Sequence, residues 1–403
     1  MPFQPEFINK WGTLKLAFKS YPSFKQFDLR GILSVHNIRK RLLLNNIVKF
    51  NNQYYFTLVI PAFPSPAFDY NHEKMGSSVK RNIGEAFLAI SPICPNKCIH
   101  CYEKYNLNNN ENNNIPIEKW NEIIQILQQS GTSIIILTGG EPLARFDDLL
   151  KILKAGDKNR SDFHLHTAGN YLTKERALLL KEAGLKAAAV GFDDHIPSRF
   201  EKIRQKGLFD QAVDALRIFN EVGIMTYVNL CATKDFIHSG SLFEYYEFVK
   251  KLNVSFIQLL EPRPCGGYLF GNGSVILNEA ERKILFDFTK EINFNKKYKN
   301  GPVVYYVAHI EGKDQMGCSM GGLSHFYIDS VGNVNPCVFL PVSFGNIKDE
   351  DFTNIFSRMR EAIPLPLHKD CASLILADTI KKHSSKGVPV SFNDIKTEWK
   401  ELL

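Results

Sequence analysis

The run Ser91-Pro92-Ile93-Cys94-Pro95-Asn96-Lys97-Cys98-Ile99-His100-Cys101-Tyr102 sets three cysteines three and then two residues apart. Three thiolates in one short loop can converge on a single inorganic cluster. Three rather than four leave one iron of a [4Fe–4S] cube with an open position. Metal sites that keep an open position tend to be catalytic, and closed ones structural. With 8 cysteines in 403 residues, this spacing arises by chance in roughly 3 of 1,000 such chains. Two other readings compete: a zinc knuckle completed by His100, and a disulfide with a spare thiol.

Working outward, an apolar strand, Ala86 to Ile90, precedes the loop. About 40 residues on, Ile134-Ile135-Ile136-Leu137 runs into Thr138-Gly139-Gly140-Glu141-Pro142. Cys94, Cys98 and Cys101, followed by the aromatic Tyr102, resemble the signature of the radical S-adenosylmethionine (SAM) superfamily, and the second motif resembles its Gly-Gly-Glu-Pro element. The resemblance implies that Tyr102, Gly139, Gly140, Glu141 and Pro142 border the cofactor. Glycines let a backbone approach a ligand closely, and Glu141 with its local backbone can accept hydrogen bonds from the methionine ammonium.

Bulk properties fit a cytoplasmic enzyme. The chain is 44% hydrophobic, enough for a sizeable core with two domains and an extension. Met1 to Pro22 is mixed polar and aromatic, unlike a cleaved signal, and no apolar run reaches about 18 residues. Eight cysteines in a reducing compartment favour iron over disulfides. A net charge of +7 is compatible with an anionic substrate or a membrane surface and falls short of a nucleic-acid footprint.

From 83 to 262 short apolar strands alternate with amphipathic helices. Strands are read at 86–90, 133–137, 163–166, 187–192, 224–230 and 254–260. Helices are read near 116–130, 147–155, 174–184, 208–222 and 241–252, on patterns such as Ala212, Leu216 and Phe219. Six βα units predict a parallel sheet with right-handed crossovers, and the resemblance implies a partial (β/α)6 TIM-like barrel. Catalytic groups then belong at the carboxyl ends of the strands. Residues 1–82 read as an N-terminal extension, 83–265 as the barrel and 266–403 as a small α+β auxiliary-cluster domain. The extension holds a basic apolar stretch, Leu33 to Val48, then a strand-like run, Tyr54 to Ile60, and a Pro-rich turn over 61–66. It is read as a helix and strand packed over the barrel, a membrane-surface helix, or a module gripping a peptide by strand addition. Residues 106–114, with seven asparagines, read as a solvated loop.

The resemblance assigns further cofactor contacts at the strand ends. Thr167 and Asn170 are candidates for adenosine, with turn capping as the alternative. Asp193 keeps an acidic position, although Gly191 stands where relatives carry a serine. Arg204 is a candidate for the methionine carboxylate, which suits a guanidinium fork. Asn229 and Thr233 flank Cys231. After the sixth strand, Glu261, Arg263 and Cys265 are the substrate-side catalytic candidates.

A second cysteine set follows. Cys318, then Gly332, then Cys337 resemble the opening of the SPASM and twitch auxiliary-cluster domains, with a hairpin over 326–336 and a helix near 350–361. Cys371 follows, without the denser cysteine run of a full SPASM domain, so one auxiliary [4Fe–4S] cluster is expected. Its fourth ligand is left among Cys265, a non-cysteine group and substrate.

The implied chemistry is reductive cleavage of SAM at the first cluster to a 5′-deoxyadenosyl radical, which takes hydrogen from a substrate carbon. The leading expectation is modification of a peptide or protein, with flavodoxin or ferredoxin as reductant. The alternatives are a small molecule or lipid at a membrane surface, or a non-catalytic zinc-binding module. The ending Lys-Glu-Leu-Leu lacks the diglycine tail of GTP cyclases.

Overall fold

The computed structural model describes residues 3–8, 39–76, 84–108, 114–271, 273–363 and 366–403. Its centre is a nine-stranded sheet. Strands β4 (Glu85–Ser91), β5 (Ile134–Gly139), β6 (Asp162–Thr167), β7 (Leu185–Gly191), β8 (Met225–Cys231) and β9 (Phe256–Leu260) stand in sequence order, all parallel. β5 is buried throughout, as a strand covered on both faces requires, and this explains its unbroken Ile-Ile-Ile-Leu run. Helices Ile117–Gln129, Phe146–Ala155, Lys174–Glu182, Leu208–Val222 and Leu242–Lys251 occupy the crossovers. The helix 208–222 buries Ala212, Leu216 and Phe219 and ends on Gly223, whose φ of +83° is the left-handed cap only glycine adopts cheaply.

The sheet extends beyond the six expected strands. β10 (Val303–Tyr306) adds in parallel to β9, and β11 (His325–Ile328) adds in parallel to β4. β11 turns through Gly332 (φ +101°) into β12 (Val334–Asn335), the expected hairpin. That hairpin is therefore continuous with the barrel sheet through β4. The helix Phe352–Ala362 follows, and residues 376–403 wrap back, with Phe392 stacked on Phe344 and Trp399 donating to the Ala362 carbonyl.

The extension corrects two expectations. β1 (Glu6–Ile8), β2 (Ile47–Phe50) and β3 (Gln53–Tyr55) form a three-stranded antiparallel sheet, and 56–60 are not strand. Val48, Phe50 and Tyr55 pack beneath the barrel on Ala187, Ala189, Met225, Tyr227 and Phe256. Each such side chain contributes about 1.5–3 kcal/mol, so this sheet is a floor to the barrel. Residues 39–49 are no membrane-facing helix. Leu43, Leu44, Ile47 and Val48 are buried, Arg39 donates to the Phe56 and Asn46 carbonyls, and Arg41 bonds Gln315. Residues 33–38 of that stretch lie outside the described residues. Among the described residues no helix is long and apolar enough to cross a membrane.

Candidate active site

The cysteine loop leaves the carboxyl end of β4 and is stitched to its neighbours by backbone. The Gly140 amide donates to the Ser91 carbonyl and the Glu141 amide to the Ile93 carbonyl, both at 2.7 Å. A Cβ on Gly139 would lie 2.5 Å from the Ser91 oxygen, and one on Gly140 2.9 Å from the Cys94 Cβ. The two glycines thus serve close approach to the cysteine loop itself. Asn108 brackets Cys94 through its amide and carbonyl, and Asn106 donates to Asp329. The start of the asparagine run is structural rather than solvated; residues 109–113 lie outside the described residues.

Cys94, Cys98 and Cys101 are free and half-buried. Burial pushes the Cys94 thiol up to about 11 and Cys101 up to about 12, and each would feel a charge on Cys98. Thiols packed this closely, with no disulfide between them, fit a multi-iron cluster whose positive charge favours the thiolates. Among the described residues no group of three or more His, Cys, Asp or Glu is arranged to hold a metal ion. His100, the candidate fourth zinc ligand, has its Nε2 3.0 Å from Asp193 Oδ2.

Several sequence candidates are committed to protein partners. Glu141 is fully buried. It accepts from the Leu143 amide, the Thr167 hydroxyl at 2.7 Å and the Ala168 amide, while burial lifts its pKa to about 7. Its side chain ties β5 to the β6 turn. Thr167 is the other half of that tie and also accepts from the Gly169 amide; capping is its observed role. Asn170 exchanges amide hydrogen bonds with Asn96, which ties the β6 turn to the cysteine loop. Pro142 opens the short helix behind Glu141, and Thr233 caps the one after β8.

Asp193 forms the hub. It faces His100 Nε2, Arg204 Nε at 2.5 Å and the Cys231 amide. Burial opposes its charge, but Arg204 and His100 outweigh it and hold the carboxyl below its usual range. Arg204 is no solvated helix residue: it is largely buried, and its carbonyl lies 3.7 Å from Cys98 Sγ. A Cβ on Gly191 would fall 2.3 Å from the guanidinium, so glycine replaces the usual serine where Arg204 needs the space. Tyr102 bonds Thr138 and packs edge-on to Tyr327. Asn229 remains available: its buried Oδ1 has no partner.

The second set gathers four thiols. Cys265 follows β9 and lies within charge range of Cys337, Cys231 and Cys371, and Cys318 within that of Cys371 and Cys337. Cys318 pairs through its backbone with Leu367, which brings the segment bearing Cys371 to the hairpin. Glu261 is not a free base. It is buried between Arg263 at 2.8 Å, Arg282 at 3.1 Å and the Tyr306 hydroxyl at 2.7 Å, and those cations overcome burial to keep it ionised. Arg263 is likewise paired and borders Cys371. Sequence reasoning missed His325, which faces Glu311 at 3.3 Å and the Cys337 thiol and is held protonated against burial. Its lone polar position in the strand His325–Ile328 was the only available signal.

The radical SAM superfamily profile matches residues 88–237, and the profile of the SPASM iron–sulfur cluster-binding domain matches 318–373. The chain belongs to the radical SAM superfamily. This radical SAM enzyme works with a [4Fe–4S] cluster and SAM, and its SPASM domain adds iron–sulfur binding. It is similar to the GTP 3′,8-cyclase of Nautilia profundicola, at 27% identity over 67% of this chain and 85% of that protein. It is similar to the AdoMet-dependent heme synthase of Nitratidesulfovibrio vulgaris, at 25% identity over 59% and 68%. In fold it is similar to Streptococcus suis SuiB bound to SAM, with a TM-score of 0.55, 17% identity, and coverage of 72% of this chain and 68% of that one. The solved anSMEcpe with bound AdoMet gives a TM-score of 0.52 at 20% identity, covering 69% and 82%.

Proposed function

We propose that this radical SAM enzyme modifies a peptide or protein side chain. Cys94, Cys98 and Cys101 hold the cluster that binds SAM; Cys265, Cys318, Cys337 and Cys371 hold one auxiliary cluster. Bound there, the first cluster and SAM supply one-electron reductive cleavage and hydrogen-atom abstraction. Asn229 offers an open acceptor on the inner face of β8, while Arg204, fixed by Asp193, keeps a permanent cation beside Cys98. The floor built by β1–β3 keeps water out from below.

The observation that carries the peptide reading is the auxiliary hairpin continuing the barrel sheet past β4. It sets a second wall beside the cysteine loop, with a small cleft between them lined by Tyr102, Tyr105, Tyr327, Asn335 and Cys337. SuiB has been solved with its precursor peptide SuiA and anSMEcpe with a Cp18Cys peptide, which supports the reading. The sequence relatives act on other classes, which favours a small-molecule alternative. Deuterium transfer separates the two. Label appearing in 5′-deoxyadenosine from a deuterated peptide pool supports the proposal; label from GTP or a porphyrin, and none from peptides, refutes it.

A further inference from the structure

We propose that the cleft between the auxiliary hairpin and the first cysteine loop binds one monovalent cation of ammonium size. Its two acids come from the two sides. Glu103 follows the first cysteine loop, and its carboxylate accepts from the Ser330 hydroxyl at 3.0 Å and the Ser330 amide at 3.4 Å. Asp329, on the hairpin, accepts from the Asn106 side chain at 3.2 Å. Both acids are 1% exposed, and no Lys, Arg or His lines the cleft. Burial, and after it the Asp329 charge, push the Glu103 carboxyl up to about 8, as expected of buried acids without a positive partner.

Two further oxygens belong to the same cleft. Tyr327 and Asn335 are paired directly across the hairpin, so their side chains share one face, and both line the cleft with Cys337. They are 4% and 2% exposed, yet neither the Tyr327 hydroxyl nor Asn335 Oδ1 has a partner. The Asn335 amide nitrogen donates to the Asn333 carbonyl at 3.0 Å, which fixes Oδ1 as the free end. Buried polar atoms left unpaired are rare and costly. Here both can accept, and both stand beside acids. Oxygen donors suit a hard cation, and aromatic walls from Tyr102, Tyr105 and Tyr327 favour a weakly hydrated, singly charged one. A potassium ion and a primary ammonium carried by the substrate share this chemistry; the second source rests on the peptide reading above.

Thermal melts of the anaerobically reconstituted protein test this, with potassium, propylammonium or tetrapropylammonium chloride added at equal ionic strength. A cation that binds only the folded chain raises the melting temperature as its concentration grows. Potassium or propylammonium should raise it, and tetrapropylammonium, too large for the cleft, should not. A rise at least as large with potassium assigns a free alkali ion; a larger rise with propylammonium assigns a substrate-borne ammonium. Glu103→Gln removes the charge but keeps both bonds, its oxygen accepting from the Ser330 amide and its nitrogen donating to the Ser330 hydroxyl. It should abolish the rise and, in tetrapropylammonium alone, melt no lower than wild type. Tyr327→Phe removes only the unpartnered hydroxyl and should raise the half-saturating concentration at least threefold. Iron per chain should be unchanged in both. The melts involve no turnover, so they hold or fail independently of the deuterium experiment on peptides. No rise in wild type, an equal rise in Glu103→Gln, or a Glu103→Gln protein melting lower in tetrapropylammonium alone would overturn the site.

Discussion

The carbonyl of Cys101 accepts a hydrogen bond from the amide of Gly267 at 2.9 Å. This bond seats the loop that follows β9, and with it Cys265, directly on the first cysteine loop. A Cβ on Gly267 would lie 1.8 Å from the Ile99 carbonyl oxygen, and one on Gly266 2.1 Å from that of Cys101. The two cysteine sets are therefore joined backbone to backbone.

Gly267→Ala should push the loops apart, at a cost of about 1–3 kcal/mol, and lower iron at both sites. Gly207→Ala is the control: its φ is +84°, but nothing lies within 4 Å of the new methyl. It should cost only ~1 kcal/mol and leave iron unchanged. Iron per chain and thermal melts of the two variants check this.

Restoring the serine that relatives carry at position 191 should harm this protein. Its side chain would occupy the space of the Arg204 guanidinium and break the bond to Asp193. Gly191→Ser should weaken SAM binding about tenfold or more, equivalent to ~1.4 kcal/mol or more, at constant iron content. Calorimetric titration of the reconstituted variant with SAM measures it, and unchanged affinity would remove Arg204 from the site.

Cys265→Ser and Cys231→Ser should behave differently. Cys265 lies in charge range of Cys337 and Cys371, so its loss should reduce auxiliary iron and leave the first cluster in place. Cys231, whose amide is held by Asp193, should leave both clusters intact. Iron and sulfide analysis with electron paramagnetic resonance separates the two.

Burial lowers His164 and His166 from 6.5 to about 3, where they share the Tyr227 hydroxyl. The unfolded chain therefore takes up protons on these rings below pH 6.5 that the native state refuses. Stability should fall as pH drops from about 6.5 toward 3. His166→Gln should lose less stability than wild type between pH 7 and 5 in thermal melts, and parallel curves would refute the argument.

The sequence revealed most of the frame. Runs such as Ile134–Leu137, buried on both faces, and the period of Ala212, Leu216 and Phe219 placed all six central strands and their helices within about two residues. The added strands at the two edges were not legible, because Val303–Tyr306 and His325–Ile328 are short and their parallel partners lie far away in sequence. The three-stranded floor was missed for a similar reason: β2 and β3 are short, and apolar residues 42–48 fit a helix as well as a strand. At the site, the cysteines and glycines were readable because their chemistry depends on residue type and spacing. What holds the carboxylates Glu141 and Glu261 was not legible, since only three-dimensional packing shows Thr167, Ala168, Arg263 and Tyr306 bonded to them.

The most direct measurement is SAM cleavage by anaerobically reconstituted wild-type, Cys98→Ala and Cys337→Ala proteins under dithionite, read as 5′-deoxyadenosine per chain. Wild type should produce it and Cys98→Ala should not. Cys337→Ala should lose auxiliary iron yet still cleave SAM without substrate. Undiminished 5′-deoxyadenosine from Cys98→Ala would contradict the assignment of the open-iron cluster to the first cysteine loop.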